Sequence, residues 1–357
     1  MKRPLCNARR PMGGALRLGL MLFVVALVAC SDETAVSPDA DSGLLPTTDA
    51  SVASDGTSGS DAGTSSDTGT PPDASVPCTG PSHTPGGPDA WGGCWPGPKN
   101  TGVPAGTVLT PYSGPCTITV NGTVLDAKKI DCDLIIKASN VQITRSKITG
   151  SVATDENATT ESFTITDSDV DIGSRAGTGI GATHFIATRV HVIGGNRSIH
   201  CWNDCTVVDS YVHAQFTDPS GTFHESGMRM GQSATFRHNS VICDAPDVPP
   251  DGGCSADLTG YGDFGPVQNN KIDKNLFGAT TGGYCTYGGS SLGKPFSSQT
   301  NNIVFTGNIW QRGTRNGDKG ERVCGYYGSN TSFDPAKPGN VWTDNRFDDG
   351  TPVASSN

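Results

Sequence analysis

The sequence predicts an all-β fold, a parallel β-helix solenoid of roughly 8–10 coils preceded by a disordered linker. Three observations lead there. Short β-rich phrases recur every 20–22 residues over the middle of the chain, and more widely spaced after it. No segment long enough for a major helix carries apolar residues at helical spacing. A small polar residue returns at one position of nearly every phrase, as a stacked corner requires.

The chain begins with a leader. Lys2, Arg3, Arg9, Arg10 and Arg17 form a basic region, and an apolar run from Leu18 to Ala29 comes next. A dozen apolar residues are too few to cross a bilayer, which takes about 20, and the order fits an export signal over residues 1–29. Leu27, Val28, Ala29 and Cys30 resemble the lipobox of bacterial lipoproteins. That resemblance implies cleavage before Cys30, lipidation of Cys30, and a place at the cell envelope held by the lipid alone. Cys30 then opens a linker, residues 30–77, rich in Ser, Thr, Asp, Gly and Pro and free of Lys, Arg and aromatics. Such a stretch has too little apolar surface to offset the entropy of ordering it, which predicts a disordered tether.

Residues 78–357 remain for one folded domain. Removing the leader leaves 20 basic against 35 acidic residues, a net charge of −15. The linker holds nine of the acids and no base, so the domain carries only −6. This balance excludes a nucleic-acid binder, which needs a concentrated basic surface, and a monomer is expected.

The phrases are Ile143–Ile148, Ile165–Val170, Ala187–Val192 and Val207–Val212, then Phe236–Val241, Val267–Ile272, Phe305–Trp310 and Trp342–Phe347. Their fourth residues are Ser146, Ser168, Val190, Ser210, Asn239, Asn270, Asn308 and Asn345. Flanking residues such as Ile143 and Ile148 are expected to point inward and stack. Hairpin sandwiches would show strands every 8–12 residues and propellers blades of 40–45; neither period occurs. Over residues 105–350 the phrases resemble the right-handed parallel β-helix superfamily, also called pectin-lyase-like. The resemblance implies architecture. It leaves activity open, because the superfamily holds lyases, hydrolases, epimerases and adhesins.

With Cys6 lost in the leader and Cys30 lipidated, ten cysteines remain, an even number that reads as disulfides in an exported chain. Cys285 and Cys324 occupy matching places in successive coils and are expected to bond. The remaining pairs expected are Cys78 with Cys94, Cys116 with Cys132, Cys201 with Cys205, and Cys243 with Cys254. The segment from Cys116 to Cys132 is expected to cap the start of the solenoid.

Two outward walls carry candidate chemistry. The first is the fifth position of each phrase: Lys147, Asp169, His191, Tyr211, Ser240 and Lys271, with Asp171 and His213 two residues further on. The second includes His200, His224, Glu225 and Arg229. Catalysis is expected among Asp169, Asp171, His191, His213, His224, Glu225 and Arg229, and substrate binding at His200, Tyr211 and Tyr261, with Tyr261 stacking on a sugar. A polysaccharide lyase needs a base for the sugar C5 proton and a cation for the uronate, roles open to His or Tyr and to Arg229. A glycoside hydrolase needs two carboxylates, for which Asp169, Asp171 and Glu225 are candidates. The bland readings differ: Asp171 caps a turn beside Gly173, His200 packs beside a disulfide, and Asp167 and Asp209 are corner residues. No cofactor or metal is required; Ca2+ has a possible oxygen-rich home among Asp244, Asp247, Asp251, Asp257 and Asp263, though no EF-hand or nonapeptide pattern occurs. No nucleophile elbow or phosphate-cradling loop is present. Two functions remain: a protein that cleaves an extracellular polysaccharide, and a surface β-helix that binds glycan or serves a structural, adhesive role. They diverge on whether Asp169, Asp171, His191, His213, Glu225 and Arg229 line one groove.

Overall fold

The computed structural model of the chain describes residues 77–313 and 324–357. The leader, Cys30 and the linker up to residue 76 lie outside the described residues. The described residues form a parallel β-helix. Every pair of neighbouring strands is parallel, and strands from one coil pair with those of the coils above and below. One helical turn, Ser297–Gln299, is the only helix among the described residues, and none there is long and apolar enough to cross a membrane.

Each coil contributes up to three strands. The first wall is a ten-stranded sheet running from Thr110–Pro111 to Arg346–Phe347, which matches the coil number expected. A sixteen-stranded sheet folds around the other two sides. Two long strands, Arg197–Val208 and His224–Arg237, bend through both of those sides. Their first halves, with Thr178–Gly181 and Gly253–Thr259, form the second wall. Their second halves, with Phe163–Thr166 and Asn301–Thr306, form the third.

The core is a set of vertical stacks. Ile143, Ile165, Ala187, Val207, Phe236, Ile272 and Phe305 succeed one another in register and are all buried. Ile148, Val170, Val192, Val212, Val241, Phe277 and Trp310 do the same behind the first wall. Full burial of an aliphatic or aromatic side chain contributes about 1.5–3 kcal/mol, so these stacks are the main stabilising feature.

Between the third and first walls the chain turns through one residue in the left-handed region: Arg145, Asp167, Arg189, Asp209, His238, Lys274 and Asp344, at φ of +46 to +55°. A side chain there costs energy. The next residue answers with side-chain hydrogen bonds to its neighbouring coil. The Ser146 and Lys128 amides donate to Ser168 Oγ and Ser146 Oγ at 3.0 Å. Higher up the Asn239, Asn275 and Asn308 amides donate to the Oδ1 of Asn275, Asn308 and Asn345. The sequence pattern places Asn270 in this ladder; the ladder residue is Asn275. Both Val267–Ile272 and Ile272–Phe277 fit the phrase, and only Leu276 and Phe277 pair with Ser240 and Val241. Asn270 instead holds the opposite corner, accepting from the Ala234 amide at 2.8 Å. Lys271 therefore leaves the first wall and sits on the third, opposite Thr235 and Val304. The left-handed residues also bond along the axis: Arg145 with Asp126, Arg189 with Asp167 at 2.6 Å, and His238 with Asp209 at 2.6 Å. Asp167 and Asp209 are thus corner residues.

The five expected cysteine pairs all lie at disulfide distance, with Cα separations of 5.4–6.3 Å. They are consistent with an exported protein. Cys116–Cys132 staples the first coils, where the Ile135 amide donates to Cys116 O. Residues 77–104 take a course that the sequence pattern does not foresee. They run as a strap along the outside of the first wall. Trp95 is fully buried against Leu276 and Ile309 and stacks on His238 at 5.2 Å. Asp89 pairs with His238 at 3.1 Å, and the Gly102 amide donates to Arg189 O at 2.9 Å.

Candidate functional site

The candidate residues fall on two walls. Asp169, His191, Tyr211 and His213 gather on the first. Adjacent-coil register sets Asp169, His191 and Tyr211 side by side. His191 Nδ1 lies 3.2 Å from Asp169, and its Nε2 lies 2.9 Å from His213 Nε2. His213 Nδ1 faces Asp244 at 3.9 Å. The Tyr211 ring stacks on both imidazoles, at 5.4 Å and 4.3 Å, and burial pushes its hydroxyl up to about 12. Burial, then the neighbouring His191, lowers His213. Asp171 accepts from the Gly173 amide at 2.9 Å, which makes it a turn cap. This wall is not an open groove. The strap crosses it so closely that a Cβ on Gly102, at φ +76°, would lie 2.2 Å from Asp169 Oδ1. Further along, Ser240, Leu276 and Ile309 are buried.

The second wall is open to solvent as a cleft. His224, Glu225, Ser226 and Arg229 come from one long strand, and Arg197 from its neighbour. Insertions after the strands supply Tyr261, Asp263 and Lys294, and the strand Tyr284–Tyr287 supplies both its terminal tyrosines. Together they line a cleft of about 500 Å3. It shares His224, Ser255 and Tyr287 with a second cleft of about 570 Å3 that reaches Tyr326 and Tyr327. On the other side it borders a small pocket at His200, Trp202 and Phe264. Clefts of this size are in the range of small-molecule binding sites.

The electrostatics of the groove derive from burial. Arg229 is only 8% exposed; it pairs with Asp263 and lies 5.4 Å and 5.3 Å over the rings of Tyr261 and Phe264. Burial, then repulsion from Arg229, pushes the Arg197 guanidinium down to about 10. Asp263 meets the charge of Arg229, so the half-buried Arg197 is the cation that favours a bound anion. Burial and the two arginines push His200 down to about 3, so its imidazole is neutral at any ordinary pH. Burial raises Tyr261 and Tyr287. Glu225 is fully buried and neither carboxylate oxygen has a hydrogen-bond partner. Burial, with help from Asp218, pushes it up to about 7 against the pull of nearby amides, so it carries its proton through mildly acidic pH. His224 is exposed on the rim, 3.2 Å from Asp251.

Glu225, Arg229, His224, His200 and Tyr261 therefore come together, while Asp169, Asp171, His191, Tyr211 and His213 lie on another side of the helix. The six residues whose convergence was to separate the two functions do not share a groove. The five insertion acids also go to separate partners: Asp244 to the Ala214 amide, Asp251 to His224, Asp257 to the Cys243 amide and Asp263 to Arg229, with Asp247 beside Gly253. Arg197, Trp202, Phe264, Tyr284, Tyr287 and Lys294 escape the sequence pattern. The signal for two of them was present: Tyr284 and Tyr287 flank Cys285 in a phrase that the cysteine pairing had already singled out. No family model, curated protein or solved structure matches this chain.

Proposed function

We propose that the chain is an exported, carbohydrate-active β-helix protein whose second-wall groove binds an acidic polysaccharide. One observation carries the reading: the half-buried Arg197 and the buried Arg229 sit with Lys294 in an open cleft lined by Tyr261, Tyr284 and Tyr287. Cations recognise uronate carboxylates through charge-assisted hydrogen bonds, and exposed aromatic rings stack on sugar faces. A polymer fits because the two clefts are continuous along the wall. Isothermal titration against a panel of acidic and neutral polysaccharides tests this. Binding confined to acidic members is expected; binding of neutral members alone overturns it.

Glu225 favours a second reading, cleavage of the bound chain. Its carboxyl lines the same cleft and keeps its proton through mildly acidic pH, as a general acid for glycosidic-bond hydrolysis must. Elimination would use Arg229 or Arg197 to neutralise the uronate. The same panel, read as ultraviolet absorbance from new double bonds and as new reducing ends, separates elimination, hydrolysis and binding alone. The solenoid phrases support placing the chain with the right-handed, pectin-lyase-like β-helices. The sequence Leu27–Cys30 supports a lipid anchor at the envelope. Radiolabelled palmitate should label the exported protein and not a Cys30→Ser variant; equal labelling of both would overturn the anchor.

A further inference from the structure

The first wall, away from the saccharide groove, carries a separate feature. His191 and His213 are each about a quarter exposed and face each other through their Nε2 atoms at 2.9 Å. Their other nitrogens face carboxylates, Asp169 at 3.2 Å and Asp244 at 3.9 Å. A carboxylate draws the ring proton to Nδ1 and leaves a lone pair on Nε2, which is how metal-binding histidines are held. With its Nδ1 proton held by Asp169, His191 offers its Nε2 lone pair to the Nε2–H of His213 at hydrogen-bond distance, and a metal ion can take the place of that shared proton. The Tyr211 ring stacks on both imidazoles and fixes their planes. The strap at Gly102 closes over Asp169, so the pair sits in a shielded notch with two negative charges behind it.

We propose that His191 and His213 form a two-imidazole site for a divalent transition metal that prefers tetragonal geometry, Cu2+ above all. Imidazole ligands favour Cu2+ over the other divalent first-row ions, and the close approach of the two rings is compatible with it. With metal–nitrogen bonds of about 2.0–2.1 Å, nitrogens 2.9 Å apart subtend roughly 90° at the ion. That is the angle between adjacent ligands in a square-planar or tetragonal Cu2+ or Ni2+ site. A tetrahedral Zn2+ site would hold the same nitrogens about 3.3–3.4 Å apart. Water completes the coordination shell on the exposed side, and Asp169 acts through the His191 imidazole as a positioning residue.

The test uses the purified full chain titrated with copper(II) chloride at neutral pH and monitored by electron paramagnetic resonance. A tetragonal signal with hyperfine coupling to two nitrogens is expected. His191→Ala and His213→Ala should each weaken binding at least tenfold, and Asp169→Asn by about 10–100-fold, the usual effect of removing an outer-shell partner. An anomalous-scattering peak between the two rings in copper-soaked crystals of the parent needs no variant, and so stands even if a substitution impairs folding. No nitrogen coupling, unchanged affinity in the His191→Ala/His213→Ala double variant, or displacement of bound Cu2+ by equimolar Zn2+ would overturn the proposal. So would a peak at His224 or His200 alone. Saccharide binding should be unaffected by copper, which keeps this outcome distinct from failure of the groove assignment.

Discussion

The two walls of this helix use similar residues and end in different states. Both present histidines, carboxylates and tyrosine outward from neighbouring strands. On the first wall the strap of residues 77–104 lies across them, with Trp95 sealed against Leu276 and Ile309 and Gly102 against Asp169. On the second wall the chain after Gly253–Thr259 and after Tyr284–Tyr287 rises at the edges and leaves the strand faces open between. What decides whether an outward side chain is available is the covering segment, and Trp95 reaches its partners from more than 100 residues away in the chain. Register along a strand puts a residue on a wall; it does not say whether that wall meets solvent.

The comparison can be broken at the strap. Trp95→Ala removes its buried anchor and should cost about 3–5 kcal/mol, the scale for a large aromatic lost from a packed site, read by chemical denaturation. A loss below about 1 kcal/mol would mean that the strap is not what closes the first wall. At the second wall, Arg229→Ala should weaken acidic-polysaccharide binding by about 2–4 kcal/mol, since a buried charged contact is lost. Its ion pair with Asp263 also disappears. A stability loss of about 1–3 kcal/mol should accompany the substitution, even though the residue points outward.

Glu225 gives a sharper, pH-dependent contrast. Its carboxyl titrates near 7 in the folded chain and near 4.3 when unfolded. The folded state therefore binds the extra proton, and stability from this group is full below about 4.3 and lost as pH rises through 7. Glu225→Gln abolishes that dependence. It should match the parent at pH 4 and exceed it at pH 8 by on the order of 3–4 kcal/mol, measured as denaturation midpoints. A variant less stable than the parent at pH 8 would show that the carboxylate is well solvated. Asn275→Ala should cost about 1–3 kcal/mol by stranding buried corner groups, and this tests the corrected register. The smallest effect belongs to the covered wall: Asp169→Asn should leave saccharide binding within twofold of the parent.

The fold was legible because a solenoid repeats its instructions. Each coil carries its own apolar pair and its own corner residue, so one misaligned phrase, Val267–Ile272 for Ile272–Phe277, did not disturb the whole. The five disulfides were legible for the same reason, as local or coil-to-coil pairs. Half of the candidate site was legible: Glu225, Arg229 and His200 lie on strands whose outward register could be counted. Arg197 has the same kind of place and escapes notice because charge alone does not distinguish it. Tyr261 stands out as an aromatic in a Gly-rich insertion, while Lys294 sits in another insertion without any period to place it. The strap was illegible because its contacts are long-range: Trp95 to Ile309 and His83 O to Gln311 Nε2 span over 200 residues, and no repeat records them.

Hydrogen exchange of the chain with and without a bound acidic oligosaccharide tests the central claim most directly, because it reads both walls in one experiment. Slowed exchange is predicted for amides of residues 253–266 and 284–294 along the second wall, with no change at 169–171 and 191–193 beneath the strap. Protection of 169–171 and 191–193 with the second wall unchanged would contradict the account and move the binding site to the first wall.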